Sequence, residues 1–337
     1  MKLTSIGDIS RMLASRTANL TIKSRISIAS QELTTGKKYD IANHFRGDLS
    51  LINRVENRIN IITAFNKNIH ELNTITSGMQ SALSKIRDIS SSLGPDLLAA
   101  AELTSSDQID IRLTQSSSLL EDAINTLHTQ VANKNIFSGD ATDAAPLPSA
   151  AEFLDKIRDI SSNSSSFSEL ESAITTWFDD ESGAETYIKS AYSGGNGSFS
   201  IPISDKSTQK INISAKNPEI KNMLKGLSLL FSASENSASL TLPQKRDIIQ
   251  KAGVLLTNSV DEIIAQQSLI GSIEHSAAKM LKVNEGELTS LSITRSNLIS
   301  ADQYQAATDL TKAQAELEIL YAVTARLSSL KLTDFLR

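Results

Sequence analysis

The sequence predicts a mainly α protein: a long antiparallel helical rod of the coiled-coil bundle type, with terminal helices and a small α+β insert domain at the tip. Apolar residues recur at three- and four-residue spacing through three long stretches, two of which run toward the chain ends. Aromatic residues make up only 4% of the 337 residues, which favours narrow seams of Leu, Ile, Val and Ala. Between the helical stretches, one region shows the alternation typical of strands.

The first helical stretch begins close to the N-terminus. Its phase slips once, after Leu20, before the pattern ends at Leu33. The segment 34–48 is polar, with Gly36 and Gly47 at positions typical of turns. Because glycine accepts backbone conformations that interrupt a helix, we predict a joint at these two glycines.

The second stretch has apolar residues at helical spacing over 52–93, enough for a helix on the order of 60 Å long. Gly94 followed by Pro95 is the usual order at a helix end, so we expect this helix to stop there. A third helix, with apolar positions over 109–131, is expected to pack antiparallel to the second.

Residues 138–242 have mixed character and predict the small α+β insert. Short helices are expected at 150–160 and 167–178. Isoleucines alternate with polar residues over 199–203 and 211–213, which predicts two strands.

The longest predicted helix opens near Pro243 and continues through Gly271 and Gly286, each costing roughly 1 kcal/mol relative to alanine. Ser300, with Gln303 three residues later, has the form of a capping box. We therefore predict that a new helix begins here and that Ser300 belongs to the joint. The resulting three parts are the terminal helices (1–36 plus 300–337), a rod domain (37–137 plus 243–299) and the insert (138–242).

The two terminal stretches are predicted to form a subunit-assembly seam. A single pair of end helices would leave much apolar surface in water, and each fully buried Leu or Ile contributes roughly 1.5–3 kcal/mol. Burial against neighbouring copies is favoured, so self-association is expected. The predicted seam comprises Ile6, Ile9, Leu13, Leu20, Ile26, Leu33, Leu310, Leu317, Leu320, Val323, Leu327, Leu330 and Leu336.

The charge and the apolar runs of the sequence argue against nucleic-acid binding, a membrane span and a cleaved secretory signal. The net charge is -5 and no basic block stands out, so nucleic acid is not an expected partner. No run approaches the roughly 18 apolar residues of a membrane span, and the first residues lack the apolar region of a secretory signal. We expect a protein that is cytoplasmic or leaves the cell without a cleaved signal peptide.

The sequence also lacks the patterns of catalytic, metal and cofactor sites. There is no cysteine, and the four histidines lack the spacing of zinc ligands. The glycines at 194–197 are not followed by a P-loop lysine, and no serine lies in a nucleophile elbow. We predict no catalytic residue, metal or cofactor. Trp177 beside the acidic residues 179–181 leaves open an enzyme within the insert.

Five segments, in their order along the chain, resemble the flagellin superfamily. Several are more similar to its hook-filament junction branch than to filament flagellins. The segments are LTTG at 33–36, NIFSGD at 135–140, LIGS at 269–272, SADQY at 300–304 and YAVTARLSSLKLTDFL at 321–336.

The resemblance implies terminal helices that line a filament core, inner helices that form a rod, and an outward-facing insert. It implies a structural adaptor of the bacterial flagellum, without enzymatic activity, whose terminal helices become ordered on assembly. Implied partners are further copies, a neighbouring hook-associated protein, flagellin and a flagellar export chaperone. The implied location is the extracellular flagellum, reached without a cleaved signal peptide. A major or minor filament flagellin is the alternative.

Overall fold

The structure, a computed structural model, is mainly helical with a small α+β part, and this confirms the predicted fold class. It describes the backbone of residues 6–102, 105–164 and 166–335, and the side chains of residues 9–102, 105–164, 166 and 168–326. In chain order the helices are α1 (Ile6–Thr35), α2 (Ile41–His44), α3 (Ser50–Ala100), α4 (Ser106–Thr114), α5 (Ser116–Leu127), α6 (Ala150–Ser162), α7 (Phe167–Asp179), α8 (Pro218–Glu235), α9 (Leu242–Ile299) and α10 (Gln303–Phe335).

Two antiparallel hairpins make up the β structure of the described chain. Strand β1 (Gln130–Val131) pairs with β2 (Lys134–Asn135), and β3 (Phe199–Ser204) pairs with β4 (Ser207–Ile211). The predicted strand at 199–203 is therefore present. The second predicted strand is shifted toward the N-terminus, because β4 ends at Ile211.

The chain divides into two compact units, Met1–Ile61 with Glu285–Arg337, and Ile62–Asn284. In the first unit, Arg58 donates two hydrogen bonds to the Glu287 carboxylate, at 2.6 and 3.1 Å. Ile52 and Val55 are buried on the same part of α3. The three-part division expected from the sequence stays a prediction.

Helix α8 lies at the centre of the second unit. It packs against α4, α5, α6 and α7, and most of its 18 residues are buried. Its large apolar residues recur at three- and four-residue spacing, and polar residues on the opposite side, such as Lys225 and Ser228, are buried as well. Two lysines extend from it toward polar groups: Lys221 Nζ donates to Phe178 O at 3.4 Å, and Lys225 Nζ contacts the Asp179 carboxylate at 2.8 Å.

The predicted end of the second helix at Gly94 and Pro95 is wrong, because α3 continues to Ala100 with Pro95 inside it. Pro95 is exposed, so its ring lies on the solvent side. A proline inside a helix costs about 3 kcal/mol, and packing against neighbouring elements offsets that cost. Gly94 is buried, and a Cβ added there would lie 3.1 Å from the backbone nitrogen of Thr257 on α9.

Candidate functional site: the apolar face of the terminal helices

Helices α1 and α10 pack along one another in the first unit. The residues most deeply enclosed on them are alanines: Ala29 on α1, and Ala306 and Ala313 on α10. Small side chains allow two helices to approach closely. An ion pair between Arg25 Nη1 and Glu316 Oε2, 2.6 Å apart, joins the same two helices.

Helix α1 presents two apolar faces. In its C-terminal half, Ile22, Ile26 and Leu33 are half-buried on the side of Ala29. In its N-terminal half, the large apolar residues are exposed, with exposed fractions of 51% for Ile9, 56% for Leu13 and 63% for Leu20. A helix turns by about 100° per residue, so these exposed positions lie roughly opposite the half-buried ones.

The N-terminal half of α1 still has a more enclosed side, but its residues are small or polar. Ser15, Ala18 and Asn19 are half-buried there. A side-chain hydrogen bond with Asn19, aided by the nearby Lys23 ammonium, lowers the pKa of Tyr321 on α10. The phase slip after Leu20 therefore marks the point where the apolar residues of α1 change faces.

We call the exposed apolar residues of this half the outer face of α1. It comprises Ile9, Met12, Leu13 and Leu20, which fall on one side of the helix. Charged or polar side chains normally occupy the solvent side of a helix that packs on one neighbour. An exposed apolar row of this kind marks an interaction surface.

The predicted seam residues of α10 also fall into a half-buried group and an exposed group. Leu310, Leu317 and Leu320 are half-buried, whereas Val323 is exposed. Ile319 and Tyr304 add exposed apolar surface away from Ala313. The side chains of Ile6, Leu327 and Leu330, and the whole of Leu336, lie outside the described residues.

The predicted joint residues lie at helix breaks. Gly36 has φ +67° and ends α1, and its carbonyl accepts a hydrogen bond from Ala301 N at 2.9 Å. Lys37 and Ser300 form an isolated antiparallel bridge, so the two joints meet in the first unit. Gly47 has φ +82° and follows α2, where its N–H donates to Ala42 O at 2.9 Å.

The cap at the start of α10 differs from the predicted capping box. Asp302 Oδ1 accepts hydrogen bonds from the backbone nitrogens of Tyr304 and Gln305, at 2.9 and 3.1 Å. Ser300 instead donates its hydroxyl hydrogen to Asn297 O. Asp302 therefore caps α10, since a carboxylate satisfies the free N–H groups of the first turn and favours its dipole.

The acidic residues beside Trp177 are held in structural contacts. Asp179 pairs with Lys225, and Glu181 lies 3.9 Å from Lys221. Hydrogen bonds from the Ser182 side chain and backbone lower the pKa of Asp180. The Trp177 indole packs edge-to-face on Phe153, Phe178 and Tyr187, so it belongs to an aromatic core.

The histidines are dispersed. His128 Nε2 lies 2.8 Å from Leu147 O, and His44 packs edge-on against Phe45. His70 and His275 are exposed on α3 and α9. Within the described ranges, no group of three or more His, Asp or Glu side chains could hold a metal ion. None of the helices in that part of the chain has both the length and the hydropathy needed to cross a bilayer.

Comparison with known proteins gives structural matches only. No protein-family model matches the chain, and neither does any curated protein. A structure described as that of a flagellar hook-associated protein from Vibrio parahaemolyticus is 13% identical, with a TM-score of 0.50, covering 74% of this chain and 96% of the other. The fold is thus similar to that of this flagellar hook-associated protein.

The crystal structure of Bacillus cereus FlgL is similar to the same extent. It is 12% identical, with a TM-score of 0.51, and the match covers 72% of this chain and 98% of FlgL. The fold is therefore also similar to that of FlgL. The resemblance inferred from sequence segments is confirmed at the level of the fold.

Proposed function

We propose that the protein is a structural subunit of the bacterial flagellum that joins hook-side subunits to the flagellin filament. The observation that carries the proposal is the outer face of α1, where Leu13 and Leu20 are more than half exposed on a helix already packed on its other side. The likeness of the fold to FlgL supports placing this surface in a flagellum.

The outer face would bind apolar helices of neighbouring subunits, both further copies and a neighbouring hook-associated protein. Burying each large apolar side chain would contribute roughly 1.5–3 kcal/mol. Several such residues per subunit would offset the loss of translational and rotational freedom on association.

Order gained on assembly belongs to the same proposal. In the described part of the α1 and α10 pair, only alanines are fully buried and the leucines and isoleucines are at most half-buried, so its local stability is expected to be low. Ordering coupled to binding costs several kcal/mol, which would keep free subunits from associating before they reach a growing end.

Two further partners follow from this assignment. Flagellin subunits would add beyond the junction. A flagellar export chaperone would cover the apolar residues of α10 before export, because an amphipathic helix without its final partner fits an apolar groove. The protein would then lie outside the cell on the flagellum.

The direct test is electron microscopy of cells lacking the gene, with flagellin assayed in the culture medium. The proposal predicts intact hooks without filaments and flagellin lost to the medium. Normal filaments on intact hooks would contradict the junction role and favour a minor filament flagellin. Restoration of filaments by the intact gene is the control.

A further inference from the structure

Asn196 and Gly197 form the chain's only Asn-Gly pair, and they lie in the loop before β3. In such a pair the following backbone nitrogen can attack the asparagine side chain, because glycine has no Cβ to hinder the approach. Asn196 is exposed, so water can reach the product of that attack.

The Lys216 ammonium contacts the side-chain oxygen of Asn196, which would gain negative charge during the attack. Lys216 Nζ donates to Asn196 Oδ1 at 3.0 Å and to the Asn196 backbone oxygen at 3.2 Å. Attack on Cγ converts the side-chain carbonyl oxygen into an oxyanion. A positioned ammonium stabilises this charge as the donors of an oxyanion hole do.

The Asp140 carboxylate accepts a hydrogen bond from the Gly197 N–H, whose proton must be removed in the attack. Gly197 N donates to Asp140 Oδ1 at 2.8 Å. A Cβ at position 197 would overlap the Asp140 carboxylate, so a larger residue there would displace this side chain. A carboxylate within hydrogen-bond distance of the nucleophile's proton has the geometry of a general base.

We propose that Asn196-Gly197 is a self-modification site with Asp140 and Lys216 as its catalytic residues. The Gly197 nitrogen bonds to Asn196 Cγ and gives its proton to Asp140. The bond between Cγ and the side-chain nitrogen then breaks, and that nitrogen leaves as ammonia with the proton returned by Asp140. Water opens the resulting succinimide to aspartate or isoaspartate.

The modification changes a loop that is held by short contacts. Gly195 N donates to Ser138 O at 2.8 Å, and Tyr192 Oη donates to Gly195 O at 2.9 Å. The product carries a new negative charge against the Lys216 ammonium, and isoaspartate adds a methylene to the backbone. The added methylene displaces Gly197 from Asp140, so the surface of this loop alters with the age of the subunit.

The test follows the conversion in full-length protein incubated folded and, in parallel, unfolded in guanidinium chloride. Intact mass and peptide mapping with isoaspartate detection give the rate at Asn196. The site predicts a rate about tenfold or more higher in the folded protein, since positioned acid-base and oxyanion groups each contribute at least this much. A slower rate in the folded protein would overturn the proposal.

Three variants separate the roles of Asn196, Asp140 and Lys216. N196Q abolishes the reaction, and D140N and K216Q each slow it about tenfold without changing the circular dichroism spectrum. With D140N the rate should rise about tenfold per pH unit, as for hydroxide catalysis, whereas the unmodified sequence should show a shallower slope. Unchanged rates and slopes in D140N and K216Q would overturn the assignment. Asn258, inside α9 and followed by Ser259, is the internal control and should stay unmodified.

Discussion

Gly94 on α3 and Gly253 on α9 lie against each other's backbone. A Cβ added at Gly253 would be 3.1 Å from Gly94 O, and one added at Gly94 would be 3.3 Å from Gly253 O. Leu98 closes one side of the contact, 3.0 Å from the added Cβ at Gly253. The backbones of the two helices therefore approach closely at these glycines in the second unit.

Substituting either glycine by alanine should destabilise the protein. Gly94→Ala and Gly253→Ala each force the helices apart, and overpacking of this kind costs about 1–3 kcal/mol. Urea unfolding measures the change. Gly271→Ala is the matched control, because nothing lies within 4 Å of a Cβ added there. This control should be neutral or more stable by up to about 1 kcal/mol. Equal effects at all three positions would contradict the close crossing.

Breaking the ion pair of Asp110 and Lys245 should destabilise the protein more than breaking an exposed pair. Lys245 Nζ is buried and lies 2.6 and 2.9 Å from the two carboxylate oxygens. Asp110→Asn should cost about 3 kcal/mol, since it leaves a buried ammonium uncompensated. Asp96→Asn, which breaks the more exposed pair with Arg112, should cost about 1 kcal/mol or less. Similar costs would argue against the burial of Lys245.

The same carboxylate predicts a pH dependence. Desolvation raises the pKa of Asp110, but hydrogen bonds from Lys245 and Ser237 outweigh it and hold the pKa below the ordinary value of 3.8. A lowered folded pKa gives stability that is present above pH 3.8 and is lost as pH falls through the folded pKa. The unfolding free energies of the unmodified protein and of Asp110→Asn should converge in that range.

Glu219 should make the pH dependence of stability run in the opposite direction to that from Asp110. Burial raises the pKa of this carboxyl above 4.5, and the nearby Glu262 adds to the effect, although the Glu219 backbone N–H and Asn217 donate hydrogen bonds to it. Ionised Glu219 therefore costs stability above its folded pKa. Glu219→Gln should raise the unfolding free energy at neutral pH by up to about 1 kcal/mol, and the gain should vanish as pH falls toward 4.5. A loss of stability at neutral pH would contradict the raised pKa.

Limited proteolysis should separate the two units. In the first, the fully buried residues of α1 and α10 are alanines and their leucines and isoleucines are at most half-buried, whereas α8 in the second is almost wholly buried. Trypsin should therefore cut at exposed Arg16 and Arg25 before it cuts within residues 62–284. Mass spectrometry of the time course identifies the order of cleavage. First cuts inside α8 would contradict the account.

Strong local patterns explain which parts of the fold could be predicted. Apolar residues at helical spacing predicted α1, α3, α9 and α10. Gly36 and Gly47 were predicted as turn residues, and both have a positive φ in the structure. The end assigned at Pro95 was wrong because packing across Gly94 and Gly253 outweighs the local preference. That contact joins positions more than 150 residues apart, which spacing along the sequence does not report.

Helix α8 and the split of α1 into two faces show what periodicity misses. Ile220, Leu224 and Leu227 recur at helical spacing, so periodicity could have indicated α8, but it does not report that the polar side of this helix is buried as well. On α1 the phase slip after Leu20 was visible in the sequence. Its meaning, that Leu13 and Leu20 point away from the packed side, required the burial of each side chain.

The measurement that tests the account most directly is filament formation by a variant of the outer face. Leu13→Gln with Leu20→Gln should leave the melting temperature unchanged, because both side chains are already exposed. Ile111→Gln on α4 removes a comparably exposed apolar side chain elsewhere and is the control. In cells lacking the gene, we predict that the control restores filaments while the double variant leaves bare hooks. Normal filaments with the double variant would contradict the assembly role of the outer face.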